Sequence, residues 1–302
     1  MKVVGFDTSN YTTSIAMFDG VGGVNCSRLL PVKPGELGLR QSDAVFSHTK
    51  SLPELSGRLF SDVGEIAAVG VSTRPRAVEG SYMPCFMVGY SHAKLLSDAL
   101  QVPLFEVSHQ QGHVAACLWS AGRLDLMDKP HLAWHLSGGT TELLLVEPEG
   151  KNVKCTKIGG TTDISAGQLI DRTGVMLELP FPAGRHVDAL SKEAVNTDVF
   201  KVKCPGLEFS LSGVQNKVQQ YAEKNNPAET AAYALRCVCH AVKAATQNAQ
   251  KQYPGLEVVF SGGVASNSML RSVMQDAIFS EPSYSTDNAM GVAVLAHRLL
   301  EG

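Results

Sequence analysis

The chain has 302 residues, 44% of them hydrophobic and 18% charged, with a formal net charge of −3. That length holds one large or two medium domains with real cores, and no apolar run approaches the ~20 residues of a membrane-spanning helix. The charge excludes bulk attraction to nucleic acid, and the opening MKVVGFD lacks the apolar stretch of a secretory signal.

Residues 3–19, VVGFDTSNYTTSIAMFD, read as an apolar strand, a tight turn of small hydroxyl residues and a second apolar strand. A glycine-rich turn and a loop with Pro31, Pro34 and Gly35 follow, then a helix over 41–61 and a strand at 66–72. After the irregular RPRAVEGSYMP, a helix over about 85–100 stops before Pro103. The short strand LFEV runs into SHQQGHVAACLWSA, whose spacing fits a helix with Ser108 as N-cap. Residues 132–147, LAWHLSGGTTELLLVE, then repeat the opening pattern of strand, turn and strand. Helices near 165–178 and 184–195, a hairpin-like stretch at 200–212 and helices over 213–224 and 228–252 come next. The strand LEVVF enters SGGVASN, with Ser266 or Asn267 starting another helix. STDNAMGVAVLAHRLL closes the chain as a helix capped by Asp287 or its neighbours. Strands interleaved with helices predict an α/β architecture without flexible linkers.

A turn of small hydroxyl and Gly residues leaves backbone N–H groups unshielded, which is how proteins cradle phosphate. Two such hairpins predict a duplicated nucleotide-binding fold with its ligand in the cleft between the halves, against the alternative of two ordinary hairpins. In the second turn, Ser137, Gly138, Gly139, Thr140 and Thr141 combine close backbone approach with hydroxyl donors. Gly262 and Gly263, between a strand and a helix, offer a second close-approach point for an adenine or ribose, although such turns use Gly routinely. Asp171 lies in a helical stretch, either paired with a cation such as Arg172 or available to ribose hydroxyls.

His109 and His113 stand at i and i+4 of a predicted helix, so both rings project from one face and can share a metal ion. His131 and His135 have the same spacing but run into a strand, where four residues span ~13 Å, and read as structural. Gln110 occupies the place where a zinc peptidase carries its general base. Asp287 is the candidate third ligand, with a plain N-cap as its alternative role. The seven cysteines are scattered without a CxxC pair and read as reduced thiols of a cytoplasmic protein. Residues 185–251 hold nine Lys or Arg against six acids, the pattern of a solvated helix face.

Taken in order, these segments resemble the universal tRNA N6-threonylcarbamoyladenosine synthase family. The family's HxxxH motif is similar to SHQQGH, its SGGxT loop to Ser137–Thr141, and its helical D-x-x-G-x-x-x-D segment to TTDISAGQLIDR. Its YPGGP is approximated by FPAGR, with Gly184 at the second glycine. FSFSG appears as FSLSG, GGVxxN as GGVASN with Asn267, and CTDN as STDN with Asp287. The first hundred residues depart from the pattern. Tyr11 and Thr12 stand where the opening E-T-S-C-D-(D/E)-T carries acids, RPRAVEGSYMP replaces a GPGL loop, and GELGLRQSD barely matches GGVVPE.

The resemblance implies the actin-like, sugar-kinase and Hsp70 ATPase superfold, which divides the chain into 1–108 plus 286–302 and 109–285. It implies transfer of threonylcarbamoyl from its adenylate to N6 of a tRNA adenosine beside the anticodon, in the cytoplasm. His109, His113 and Asp287 would hold one divalent metal, Fe or Zn. Ser137–Thr141, Asp171, Gly184, Gly262, Gly263 and Asn267 would hold ATP, AMP or threonylcarbamoyl-adenylate. Asp7 is the one acid left in the first loop and the candidate catalytic group. Contact with tRNA would lean on partner proteins, either a paralogue of the same fold or a second copy of the chain. The alternative is a non-catalytic paralogue that binds nucleotide and metal as a scaffold, and a small-molecule phosphotransferase ranks third.

Overall fold

A computed structural model describes residues 1–9, 11–31, 39–62 and 64–302. Pro34, Gly35 and the first four residues of the stretch compared with GGVVPE lie outside the described residues. Contacts divide the chain into two compact units. The first comprises Met1–Lys129, Glu147–Cys155 and Asp287–Gly302; the second comprises Pro130–Val146 and Thr156–Thr286.

In the first unit, β1 (Lys2–Ser9) pairs antiparallel with β2 (Thr12–Phe18), which pairs with β3 (Gly23–Leu29). Helix α1 (Gln41–Leu59) buries Ala44, His48, Ser51, Leu52, Leu55 and Leu59, the spacing of a stripe laid on a sheet. Strands β4 (Ile66–Arg74) and β5 (Leu104–Ser108), separated by α2 (Phe86–Leu100), extend the sheet in parallel to the order β3-β2-β1-β4-β5. Its core gathers Val4, Phe6, Ile15, Leu52, Leu55, Val69, Val71 and Val88. The sequence reading misses β3, a half-exposed edge strand without the buried alternation that marks a strand.

Helix α3 (His109–Ser120) follows β5 directly. Ser108 caps it through the N–H of Gln111, and the Gln111 side-chain oxygen accepts the Ser108 N–H, a complete capping box. The predicted boundary at 108/109 gives way to one at 129/130, with α3 in the first unit.

The sheet of the second hairpin begins with β6 (His131–Leu136), β7 (Thr141–Glu149) and β8 (Asn152–Thr161). Helix α4 (Ala166–Met176) is capped by Ser165, and α5 (Gly184–Ser191) follows. The predicted hairpin at 200–212 reduces to β9 (Glu208–Phe209), two residues parallel to β8. Its preceding segment is held by a side chain instead of a strand partner: Asn248 Nδ2 donates to the carbonyls of Cys204 and Gly206. Helices α6 (Ser212–Ala222) and α7 (Pro227–Gln252) lead to β10 (Val258–Ser261), α8 (Ser268–Val273) and β11 (Ile278–Phe279). The order is β11-β10-β6-β7-β8-β9, so β8-β7-β6-β10-β11 repeats the plan of the first sheet. Trp134, Leu132, Leu143 and Phe260 pack on the buried face of α7, and Trp134 Nε1 donates to Thr246 Oγ1 at 2.8 Å.

The last helix, α9 (Met290–Leu300), belongs to the first unit and is buried along Met290–His297. It lies against the sheet because Gly5 and Gly70 carry no side chain: a Cβ at Gly5 would meet Ala293 N at 2.6 Å, and one at Gly70 would meet Ala296 Cβ at 2.7 Å. Among the described residues, no helix is long and apolar enough to cross a membrane.

Candidate functional site

In the first unit the start of α3 brings His109 and His113 beside Asp287, just ahead of α9. His109 Nε2 and His113 Nε2 lie 2.9 Å apart, and Asp287 Oδ1 is 3.5 Å from the first and 3.1 Å from the second. Ligands of a tetrahedral ion at ~2.1 Å sit roughly 3.4 Å from one another, so these three atoms converge as such an ion requires. Among the described residues, this is the one group of three or more His, Cys, Asp or Glu side chains able to hold a metal. Asp287 does not cap α9; Ala289 takes the N-cap position and Asn288 Oδ1 accepts the Met290 N–H. That leaves the Asp287 carboxylate directed at the two rings.

Asp7 is fully buried in β1, and both its oxygens are engaged. Oδ1 accepts from His109 Nδ1 at 3.0 Å and from the Ser72 hydroxyl, and Oδ2 accepts from Ser9 Oγ at 2.9 Å. A carboxylate on the far nitrogen fixes the tautomer and ring angle of a ligating histidine. Asp7, the candidate catalytic group of the sequence, is therefore placed to orient His109. Burial disfavours charge throughout this cluster, yet Asp7 and Asp287 outweigh it at His109, whose pKa is pushed up to about 10. Burial likewise opposes the charge of Asp287, and the two histidines overcome it, holding that carboxyl well below its usual range. The pocket is built to hold positive charge.

Four hydroxyls of the first hairpin, those of Thr8, Ser9, Thr13 and Ser14, are hydrogen-bonded within the fold. Thr8 Oγ1 donates to the Cys85 carbonyl and accepts the Gly89 N–H, while Thr13 Oγ1 bonds His48 Nδ1 at 2.8 Å. Thr12, at a position where the family pattern carries acids, is buried in β2. His131 is buried within β6, and His135 Nδ1 lies 3.4 Å from Ser261 Oγ. The thiols of Cys85, Cys155 and Cys239 are each pushed up to about 12 by burial, which leaves them unreactive.

The second unit carries a cavity of about 670 Å³. Gly138, Asp171, Gly184, Arg185, Asp188, Gly263 and Asn267 are among the residues that line it. A Cβ added at Gly138 or Gly184 would meet nothing within 4 Å, and one at Gly263 only Thr286 Cγ2 at 3.8 Å. These bare backbones leave a cradle that side chains would fill. Gly262 differs: its φ of +91° and its contact with the Leu136 backbone make it a packing glycine. Of the phosphate turn, Gly138 alone lines the cavity. Ser137 Oγ accepts the Thr140 N–H, and Thr141 Oγ1 accepts the Ala166 N–H at the start of α4. Asp171 Oδ1 accepts the Ala183 N–H at 2.8 Å, and burial pushes its carboxyl up. Asn267 caps α8 and donates through Nδ2 to Asp188 Oδ1 at 2.6 Å. Sequence reasoning missed Asp188 and Arg185; their positions in FPAGRHVD, one α-helical turn apart and beside Gly184, were the available signal.

The fold, two sheets of one repeated plan with helices, is that of the actin-like ATPases and sugar kinases. A full-length HypF structure superposes with a TM-score of 0.64 at 15% identity, covering 100% of this chain and 47% of that one. A ROK hexokinase from Thermus thermophilus gives 0.52 at 15% identity, over 100% and 99%. Residues 42–294 match the family model of TsaD, tRNA N6-adenosine threonylcarbamoyltransferase. Curated relatives of that name include one from Carboxydothermus hydrogenoformans, 34% identical over 79% of this chain and 73% of its own length. Another, from Thermus thermophilus, is 30% identical over 99% and 93%. The chain belongs to the TsaD family and is an acyltransferase of tRNA.

Proposed function

We propose that this chain transfers threonylcarbamoyl from its adenylate to N6 of a tRNA adenosine, with a divalent metal held by His109, His113 and Asp287. The observation that carries the metal assignment is the convergence of those three ligand atoms within 4.8 Å of one another. Fe or Zn suits two imidazoles and a carboxylate. An ion bound there would supply a Lewis acid that stabilises negative charge on an oxygen. Asp7 keeps the proton of His109 on Nδ1, so that Nε2 presents its lone pair.

The adenylate occupies the cavity of the second unit. Asp171 and Asp188 face the ribose hydroxyls, and the open backbones of Gly138, Gly184 and Gly263 admit the nucleotide closely. In the reaction the adenosine N6 forms a C–N bond to the carbamoyl carbon, the carbon–oxygen bond to phosphate breaks, N6 loses a proton, and AMP leaves. The scaffold alternative is not favoured, since relatives matching most of the chain are named as the transferase. We place the enzyme in the cytoplasm, and with a net charge of −3 it would draw its tRNA through a partner, either a paralogue of the same fold or a second copy of the chain.

The test is metal analysis of the protein purified without chelator, alongside modified-nucleoside analysis of tRNA incubated with threonylcarbamoyl-adenylate and the cognate partners. Wild type should carry about one Fe or Zn and His109→Ala neither metal nor activity. Full transfer by a metal-free His109→Ala variant would refute the assignment.

A further inference from the structure

Arg185 stands in the first turn of α5, next to Gly184, and lines the cavity of the second unit. Each of its two acidic neighbours there is hydrogen-bonded within the fold through one carboxylate oxygen. Asp171 receives the Ala183 N–H, and Asp188 Oδ1 receives the Asn267 amide at 2.6 Å, the Ser268 N–H at 3.0 Å and the Ser268 hydroxyl at 2.9 Å. Arg185 makes no hydrogen bond or ion pair with any described residue. It is also the one Lys or Arg among the described residues that line the cavity. A guanidinium offers five donors and keeps its charge at any working pH.

The electrostatics need such a group. Two carboxylates, Asp171 and Asp188, line the cavity, and a nucleotide adds the charge of its phosphate to theirs; Lys192 Nζ lies 3.6 Å from Asp188 Oδ2 but does not line the cavity. Like charges held together are unfavourable unless a cation stands among them. The turn at Gly138 can offer backbone N–H groups but no charge. Where the YPGGP pattern ends in Pro, a residue with neither charge nor donor, this chain has Arg in FPAGR.

We propose that Arg185 pairs with the phosphate of the adenylate and makes this cavity selective for a nucleotide over its nucleoside. The inference rests on the reading of the cavity as the adenylate site. It names a specificity-determining contact that belongs to this chain and that the YPGGP pattern does not supply. The side chain is exposed, so its pairing is screened by salt.

The experiment is calorimetric titration of the full chain with AMP and with adenosine, at low and at high salt. Arg185→Ala should weaken AMP about tenfold at low salt and leave adenosine within about twofold. The gap between wild type and variant should narrow at ~1 M salt, where charges are screened beyond about 3 Å. Arg185→Lys should recover part of the loss. Arg185→Pro should behave as the Ala variant, because proline is tolerated in the first turn of a helix. Equal weakening of AMP and adenosine would assign the guanidinium to base or ribose and overturn the proposal. AMP binding unchanged in Arg185→Ala would overturn it too, whether or not tRNA modification fell. If wild type bound neither ligand, the adenylate reading would fail as well; binding of both by wild type confines any failure to Arg185.

Discussion

Gly291 is where helix packing and metal binding are joined. It lies in the first turn of α9, and a Cβ built there falls onto the Gly112 carbonyl oxygen and 2.7 Å from Ala116 N. Carbon and backbone atoms normally approach no closer than about 3.5 Å, so α3 and α9 must part by roughly 1–2 Å to accept a methyl group. Overpacking of this kind costs about 1–3 kcal/mol. The greater effect should be at the site, because Gly112 immediately precedes His113 and α9 follows Asp287. Metal sites tolerate about 0.2 Å of error in their ligand distances. Gly291→Ala should therefore lower the unfolding temperature by several degrees and weaken Co²⁺ or Zn²⁺ binding by at least tenfold. Gly57→Ala, in α1 with nothing within 4 Å of the added carbon, is the control. That change should leave metal affinity intact and stabilise by at most about 1 kcal/mol. A Gly291→Ala protein with wild-type unfolding temperature and metal affinity would show that the close approach of α3 and α9 does not position the ligands.

Asp7→Asn, which removes the charge behind His109 while keeping its size, should weaken metal binding by about 10–100-fold; an unchanged Co²⁺ titration would reject the orienting role. Chelation should lower the unfolding temperature of wild type, since a ligand at a hundredfold over its Kd stabilises by about 2.7 kcal/mol. His109→Ala should show no such response in the same melts, and an equal response would place the metal elsewhere. Asp163 braces the FSLSG stretch: Ser210 Oγ at 2.5 Å, Ser212 Oγ at 2.7 Å and the Leu211 N–H at 2.8 Å all donate to it. Burial opposes its charge, but these donors prevail and hold the pKa at about 2, below the ordinary 3.8. A depressed carboxyl stabilises above its unfolded pKa and loses that contribution as pH falls through its folded one. Asp163→Asn should thus be less stable than wild type near neutrality, with the difference shrinking between pH 4 and 2; a constant difference across that range would discount the ionic contribution.

Local signals were enough to read the helices and the two hairpins. Ser108 ahead of an apolar periodic run predicts α3, and its capping box is an interaction between residues three apart. The i, i+4 spacing of His109 and His113 likewise puts both rings on one face through helix geometry alone. The strands that escaped notice are β3, β8 and β11: β3 and β8 are only partly buried and lack a clean alternation, and β11 is two residues that exist through their pairing with β10 across an intervening helix. No local pattern encodes that partner.

The site divides along the same line. Residue types and order pointed to a metal and a nucleotide, and the family followed from them. What only tertiary structure decided is which groups remain available once the chain is folded. Asp7 read as the free acid of a loop, but the pairing of β1 with β4 sets it against Ser72, and α3 brings His109 to it across 102 residues of sequence. Asp287 read as either a metal ligand or a cap, and the packing of α9 on α3 turns it to the histidines. Gly262 and Gly263 read alike; one supports the Leu136 backbone and the other opens onto a cavity. A sequence states which donors and acceptors a chain possesses, but burial and long-range contact determine which of them are spent on the fold and which are left for chemistry.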